Sequence, residues 1–142
     1  MKEMVSENFS YDEFEHYVKA EKNKIDNRIP SPEVKEHIKA LVLNVLQPLR
    51  DAWGEPLHVN SGYRCKELNE LVGGVPTSQH VKGEAADIAA DNPYELACLA
   101  RKLKLPYDQM ILYPTFVHFS HKLNGEQRGQ ILYNKSYKGE RL

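Results

Sequence analysis

Cysteine is scarce in this 142-residue chain. There are two, Cys65 and Cys98. One possible bridge is not a disulfide framework, and neither cysteine lies in a Cys-x-x-Cys pair, so thiolate metal binding is disfavoured. Two reduced thiols are expected. An excess of charge of one sign is lacking too: 19 basic and 20 acidic residues sum to -1. With no basic block, a nucleic-acid partner has no electrostatic support. No apolar run approaches the length of a membrane span, which predicts no membrane partner. The segment from Met1 to Asn8 has no apolar leader core, which predicts cytoplasmic synthesis or the trimmed form of a secreted chain. Repeats and low-complexity tracts are missing as well. What is present, 41% hydrophobic and 27% charged residues, is the composition of a globular protein, and the length suits one domain.

Phe9-Ser10-Tyr11-Asp12-Glu13-Phe14 predicts a helix start. Ser10 is the cap, Glu13 completes a capping box and Phe9 with Phe14 forms a hydrophobic staple, the helix running to about Lys22. Residues 23 to 30 are polar, end in proline and read as a connector. Ser31-Pro32 opens a second helix, with Val34, Ile38, Leu41, Val42, Val45, Leu46 and Leu49 as its apolar stripe. Pro48 should kink it or start a new turn, and Gly54 should end it. A short extended piece from Pro56 leads to Ser61-Gly62-Tyr63-Arg64, a turn presenting an arginine. A short helix from Lys66 to Val72 then closes at Gly73-Gly74. Ala85 to Ala89 reads as a strand. Asn92-Pro93-Tyr94-Glu95 starts another helix, with Leu96, Leu99, Ala100 and Leu103 as its buried side. Extended pieces at 109–113, 115–120 and 129–133 follow, with a turn at Asn124-Gly125. The core is expected over residues 10–133, with 134–142 as a loose tail. Helices early and strands late predict an α+β fold with an antiparallel sheet.

The chemistry concentrates in Ser78-Gln79-His80-Val81-Lys82-Gly83-Glu84-Ala85-Ala86-Asp87. Catalytic zinc usually takes three protein ligands and keeps a position for water. His80, Asp87 and His118 would make such a set. Asp87 and His118 sit on strands by the two-residue period, and His80 approaches from the preceding loop. A zinc-activated water would then attack a carbonyl. Arg64 would hold a substrate carboxylate or the developing oxyanion. Each residue also has a plainer reading. A histidine is more often surface or core filler than ligand, Ser78 can be a turn residue, and Arg64 a surface arginine. Asp87 among alanines needs a partner, which could be an arginine in place of a metal. The spacing is not the His-x-Asp of non-haem iron sites, which favours zinc over iron.

Taken in order, the Ser61–Arg64 turn, Gly73-Gly74, the Ser78–Asp87 segment, Tyr107-Asp108-Gln109-Met110-Ile111 and Phe116-Val117-His118-Phe119-Ser120 resemble peptidase family M15. Within it, the zinc D-Ala-D-Ala carboxypeptidases and related phage endolysin peptidases are the most similar group. The resemblance runs from Ser10 to about Tyr133 and takes in Leu46-Gln47-Pro48-Leu49-Arg50. It implies a hedgehog/DD-peptidase-like α+β fold, a small antiparallel sheet flanked by helices, and one zinc ion on His80, Asp87 and His118. It further implies substrate or oxyanion contact by Arg64, and Ser78 as a substrate contact or a support for the metal loop. The implied substrate is peptidoglycan stem peptide, met at the bacterial cell wall during phage or prophage lysis. Several relatives carry an acid three residues before the last zinc histidine. Here Thr115 stands there, leaving His121, Glu84 and Asp108 as candidates for a general base. Phe116 stands where relatives often have tryptophan. The competing expectation is a domain that keeps the zinc without catalysis, as a cell-wall-binding or phage structural module.

Overall fold

The computed structural model describes residues 3–142. Met1 and Lys2, at the head of the segment read for a leader, lie outside the described residues.

The principal helix starts as its chemistry dictates. Ser31 Oγ accepts from the Val34 N–H at 3.3 Å, and Pro32 opens α3 (Pro32–Leu41). The stripe continues through a π-helical turn (Val42–Leu46) into α4 (Gln47–Trp53), which Gly54 closes at φ 82°. Pro48 has no N–H to donate four residues back. The ladder widens just before it, and the Gln47 N–H bonds Val42 O. The interruption expected at Pro48 is thus absorbed by one wide turn. Ile38, Leu41, Val42, Val45, Leu46 and Leu49 are all fully buried.

The N-terminal helix is shorter than expected. It divides into α1 (Tyr11–Glu15) and α2 (Val18–Lys22), with His16 and Tyr17 extended between them. The carbonyls that would continue the ladder are taken elsewhere. Phe14 O accepts from the Tyr63 N–H at 2.8 Å, and Glu15 O from Asn27 Nδ2 at 2.8 Å. The staple pair holds, with Phe9 and Phe14 ring centroids 6.3 Å apart. Further on come the short helix α5 (Lys66–Leu71), the single turn α6 (Gln79–Lys82) and α7 (Pro93–Lys102). On α7 the buried side is Leu96, Ala97 and Ala100. Leu103 lies beyond the last turn and is exposed, correcting its assignment to the core.

The sheet contains β1 (Val59–Ser61), β2 (Ala85–Ala89), β3 (Gln109–Leu112), β4 (Phe116–Ser120) and β5 (Gln130–Tyr133), in the order β1-β2-β4-β3-β5. The first four pair antiparallel, but β5 joins β3 in parallel. The expected antiparallel sheet is therefore a mixed one. Asp108 is the cause. Its carbonyl accepts from the Gln130 N–H at 3.1 Å and its carboxylate from the Arg128 N–H at 2.8 Å, tying the starts of β3 and β5 side by side.

One face of the sheet is core: Ala86, Ile88, Met110, Leu112, Val117 and Phe119 are fully buried and cluster with the α3–α4 stripe and with α7. The class is α+β, as predicted. Residues 134–142 are not a loose tail. Tyr137 is buried in the core cluster, its hydroxyl donates to Glu140 O, and the Leu142 N–H donates to the Tyr133 hydroxyl at 2.7 Å.

Candidate metal centre

The β2–β4 register sets Asp87 directly opposite His118, on the face away from the core. His80 comes from α6 and not from a loop. Ser78 caps that turn, its Oγ accepting from the His80 N–H at 3.2 Å, and Gly83 ends it at φ 81°. A four-residue helix has no periodicity to read, so only its cap and its glycine mark it in the sequence.

His80 is oriented from behind. Its Nδ1 lies 2.7 Å from the Gly62 carbonyl, to which it can only donate. The neutral ring therefore presents a bare Nε2. Gly62 is required here by close approach, since a Cβ at that position would stand 2.8 Å from Phe14 Cα. The bare His80 Nε2 is 3.2 Å from His118 Nδ1 and 3.3 Å from Asp87 Oδ1, while His118 Nδ1 is 3.0 Å from the same Oδ1. Three candidate ligand atoms thus form a nearly equilateral triangle, and the His80–Asp87 edge joins two acceptors. A cation resolves that arrangement. Ligands at zinc distances in a tetrahedral set stand about 3.3 Å apart, so the triangle fits zinc with little adjustment.

The protonation states agree. Burial works to raise the Asp87 carboxyl, but the electrostatic attraction and hydrogen-bonding of the two adjacent imidazoles outweigh it and hold Asp87 well below the usual carboxylate range. Burial pushes the His118 imidazole down, with Asp87 only partly opposing. An ionised carboxylate and an imidazole pushed toward its neutral form, as at His118, suit a metal.

The triangle faces a cleft of about 620 Å³. Arg64 lines it. Its N–H donates to His80 O at 3.1 Å, its Nη2 donates to Ser78 Oγ at 3.3 Å, and its buried Nε has no partner among the described residues. The neighbouring backbone is clamped by Asn27, whose Nδ2 donates to Tyr63 O at 2.9 Å and whose Oδ1 accepts from the Cys65 N–H at 2.7 Å. Ser78 also lines the cleft, but its oxygen already accepts from His80 and Arg64. It therefore supports both.

The base candidates lie apart from the cleft lining. His121 is buried with Nδ1 2.6 Å from Pro106 O, and Glu84 is buried with Gln79 Nε2 3.4 Å away. Asp108 is fully buried. Burial would raise its carboxyl, yet the Arg128 hydrogen bonds hold it down to about 2. Thr115 is exposed in the turn before β4. Among the described residues that line the cleft, Asp87 is the only carboxylate.

Several cleft residues escaped the sequence reading: Tyr17, Lys19, Tyr113 and Arg128, with Asn27 behind them. The two-residue period of β3 places Gln109, Ile111 and Tyr113 on one face, and all three line the cleft. That period would have found Tyr113, whose ring stacks on Phe116 at 4.2 Å. Nothing local distinguishes Asn27 or Arg128, which act through contacts distant in sequence.

Comparison with known proteins agrees with this geometry. A relative, the zinc D-Ala-D-Ala carboxypeptidase of Streptomyces albus G, is 46% identical over 46 residues, which is 32% of this chain and 18% of that protein. The match therefore spans less than a fifth of the relative's length. The family model described as Peptidase M15 matches residues 7–121, a stretch that includes His80, Asp87, His118 and Arg64. The chain belongs to peptidase family M15.

Proposed function

We propose that the chain is a zinc-dependent peptidase that hydrolyses peptidoglycan stem peptides. It would either release a terminal D-Ala or cut within the stem or cross-bridge, as an endolysin does. The observation carrying this reading is the triangle of His80 Nε2, Asp87 Oδ1 and His118 Nδ1, with edges of 3.0 to 3.3 Å, facing a cleft lined by Arg64. Membership of the family and the name of the carboxypeptidase relative support the substrate class. His80, Asp87 and His118 would hold one zinc. When bound there, the ion supplies Lewis acidity to a water or to the scissile carbonyl. Arg64, with an Nε unpartnered among the described residues, supplies donors for a developing oxyanion or a substrate carboxylate. Tyr113 and Phe116 give the cleft a flat apolar wall against which a peptide can lie. Action at the bacterial cell wall, including a role in phage or prophage lysis, follows from this substrate.

One observation favours a second reading. Thr115 stands where an acid would serve as base, and Asp87 is the only carboxylate among the described residues that line the cleft. A zinc-retaining module that binds cell-wall peptide without cutting it matches that chemistry. Digestion of purified peptidoglycan with mass-spectrometric identification of products decides between them. Free D-Ala means carboxypeptidase, and new amino termini inside the stem mean endopeptidase. No product from zinc-loaded protein that still binds stem peptide means the binding module. His80→Ala should abolish release, and activity surviving that change would overturn the peptidase reading.

A further inference from the structure

The cleft is lopsided in charge. The chain carries a net -1, yet the cleft residues include the cations Lys19, Arg64 and Arg128 against one carboxylate, Asp87. That carboxylate is turned to the two imidazoles. Arg128 is fixed unusually firmly. Its backbone N–H and Nε donate to Asp108 Oδ1 at 2.8 and 3.1 Å, and its Nη2 donates to Oδ2 at 2.7 Å. Asp108 is fully buried and also accepts from Gln79 Nε2 at 3.1 Å, the residue next to ligand His80. The Lys122 ammonium lies 3.7 Å from the same carboxylate, so Asp108 is shared between two cations and does not belong to Arg128 alone. The Arg128 side chain remains 44% exposed, and its Nη1 donates to nothing among the described residues. A guanidinium held along one edge by a buried carboxylate, with the other nitrogen free beside a cleft, is preorganised for an anion.

We propose that Arg128 reads a second carboxylate of the substrate, distinct from the group that Arg64 receives, so that the preferred substrate is an acidic peptide. The inference rests on the peptidase reading for the peptide nature of the ligand, and it adds a specificity-determining residue. Peptides ending in D-Ala-D-Ala would be compared as pairs, each internal carboxylate in turn replaced by its carboxamide. For one position, the free acid should show a KM about tenfold lower than the amide, as expected for one charge-assisted contact. Arg128→Gln should raise the acid's KM to that of the amide, leave the amide unaffected and keep kcat within about twofold. Because Arg128→Gln leaves Asp108 without its main partner, the Asp108→Asn, Arg128→Gln double variant is measured beside it. There an amide pair replaces the ion pair, and the loss of acid preference should be the same. A wild-type protein indifferent to every acid–amide exchange overturns the inference, as does an equal rise in KM for both peptides. If the wild type cuts none of the peptides, the peptidase reading fails. The same acid–amide pairs measured as Kd by calorimetry then decide the inference separately.

Discussion

Asp87 is partly buried between two imidazoles and Asp108 is fully buried beside two cations; both are held ionised, but they are served differently. Asp108 accepts from the Arg128 backbone and guanidinium and from Gln79, with Lys122 at 3.7 Å. Every demand of that carboxylate is met inside the protein. Asp87 faces two imidazoles, one of which presents a bare nitrogen 3.3 Å away. Its site is short of positive charge and protons by its own construction. A buried carboxylate with a full set of donors ties the chain together, and one that faces acceptors is a place for a cation. Both occur in this small sheet, at the paired strands β2 and β4 and at the start of β3.

The largest effect should come from the short-handed carboxylate. Asp87→Asn removes a charged ligand and supplies an amide N–H to the bare His80 Nε2. Zinc measured by elemental analysis should fall from about one per chain to background, and any release of product from peptidoglycan should be lost. The metal-free protein should lose less in urea unfolding than Asp108→Ala does, because the amide oxygen still accepts from His118 and its N–H meets the bare His80 Nε2. A large loss of metal-free stability would erase the distinction between the two carboxylates.

Asp108→Ala is the mirror experiment. It strands Gln79 and the Arg128 N–H and releases the β3–β5 tie, so unfolding should lose on the order of 3 kcal/mol. Zinc content should persist in the folded fraction, since no ligand is touched. A variant that keeps its stability but loses zinc would reverse the assignment.

These two sites were not equally legible. Strand periodicity found Asp87 and His118 and the way they face, because alternation is local and β2 is a run of small apolar residues broken by one acid. It did not find that β5 is parallel, since that depends on Asp108 reaching 20 residues ahead to Arg128. The break at His16 and Tyr17 was hidden for the same reason. It follows from Tyr63 and Asn27 taking the Phe14 and Glu15 carbonyls, and no local propensity reports that. Leu103 satisfied the helical stripe but falls past the helix end, where the period no longer governs burial. The tail 134–142 looked polar, and its anchorage rests on Tyr137, one aromatic side chain buried in the core cluster. Arg64 was legible as a charge in a turn, whereas its clamp, Asn27, lies in a segment that reads as connector.

A subtler change tests what would fit the Asp87 site for a metal. Gly62→Ala would place a Cβ 2.8 Å from Phe14 Cα and displace the carbonyl that fixes the His80 tautomer. Every ligand remains. Zinc affinity, measured by competition with a chelator, should weaken about tenfold, the scale of losing an orienting contact behind a ligand histidine. Unchanged affinity would mean that the lone pair on Nε2 does not depend on the Gly62 hydrogen bond.

The smallest effect is a pH dependence, and it isolates the satisfied carboxylate. The Asp108 carboxyl is lowered from 3.8 to about 2 in the folded chain. A depressed carboxyl contributes stability that is present above its unfolded value and is lost as pH falls through its folded value. The stability difference between the wild type and Asp108→Asn should therefore be level above about pH 4 and shrink by about 1–2 kcal/mol as pH approaches 2. The metal-free protein is the one to use, because acid also strips a metal from its ligands. Asp26 carries a similarly low carboxyl through its exposed pairing with Arg28, and the subtraction removes it because it is common to both chains. Urea unfolding of the two proteins across that range gives the comparison directly. If Asp108→Asn loses stability toward acid as steeply as the wild type, the Arg128 pairing does not favour the ionised form. Asp108 would then be held by its neutral hydrogen bonds alone.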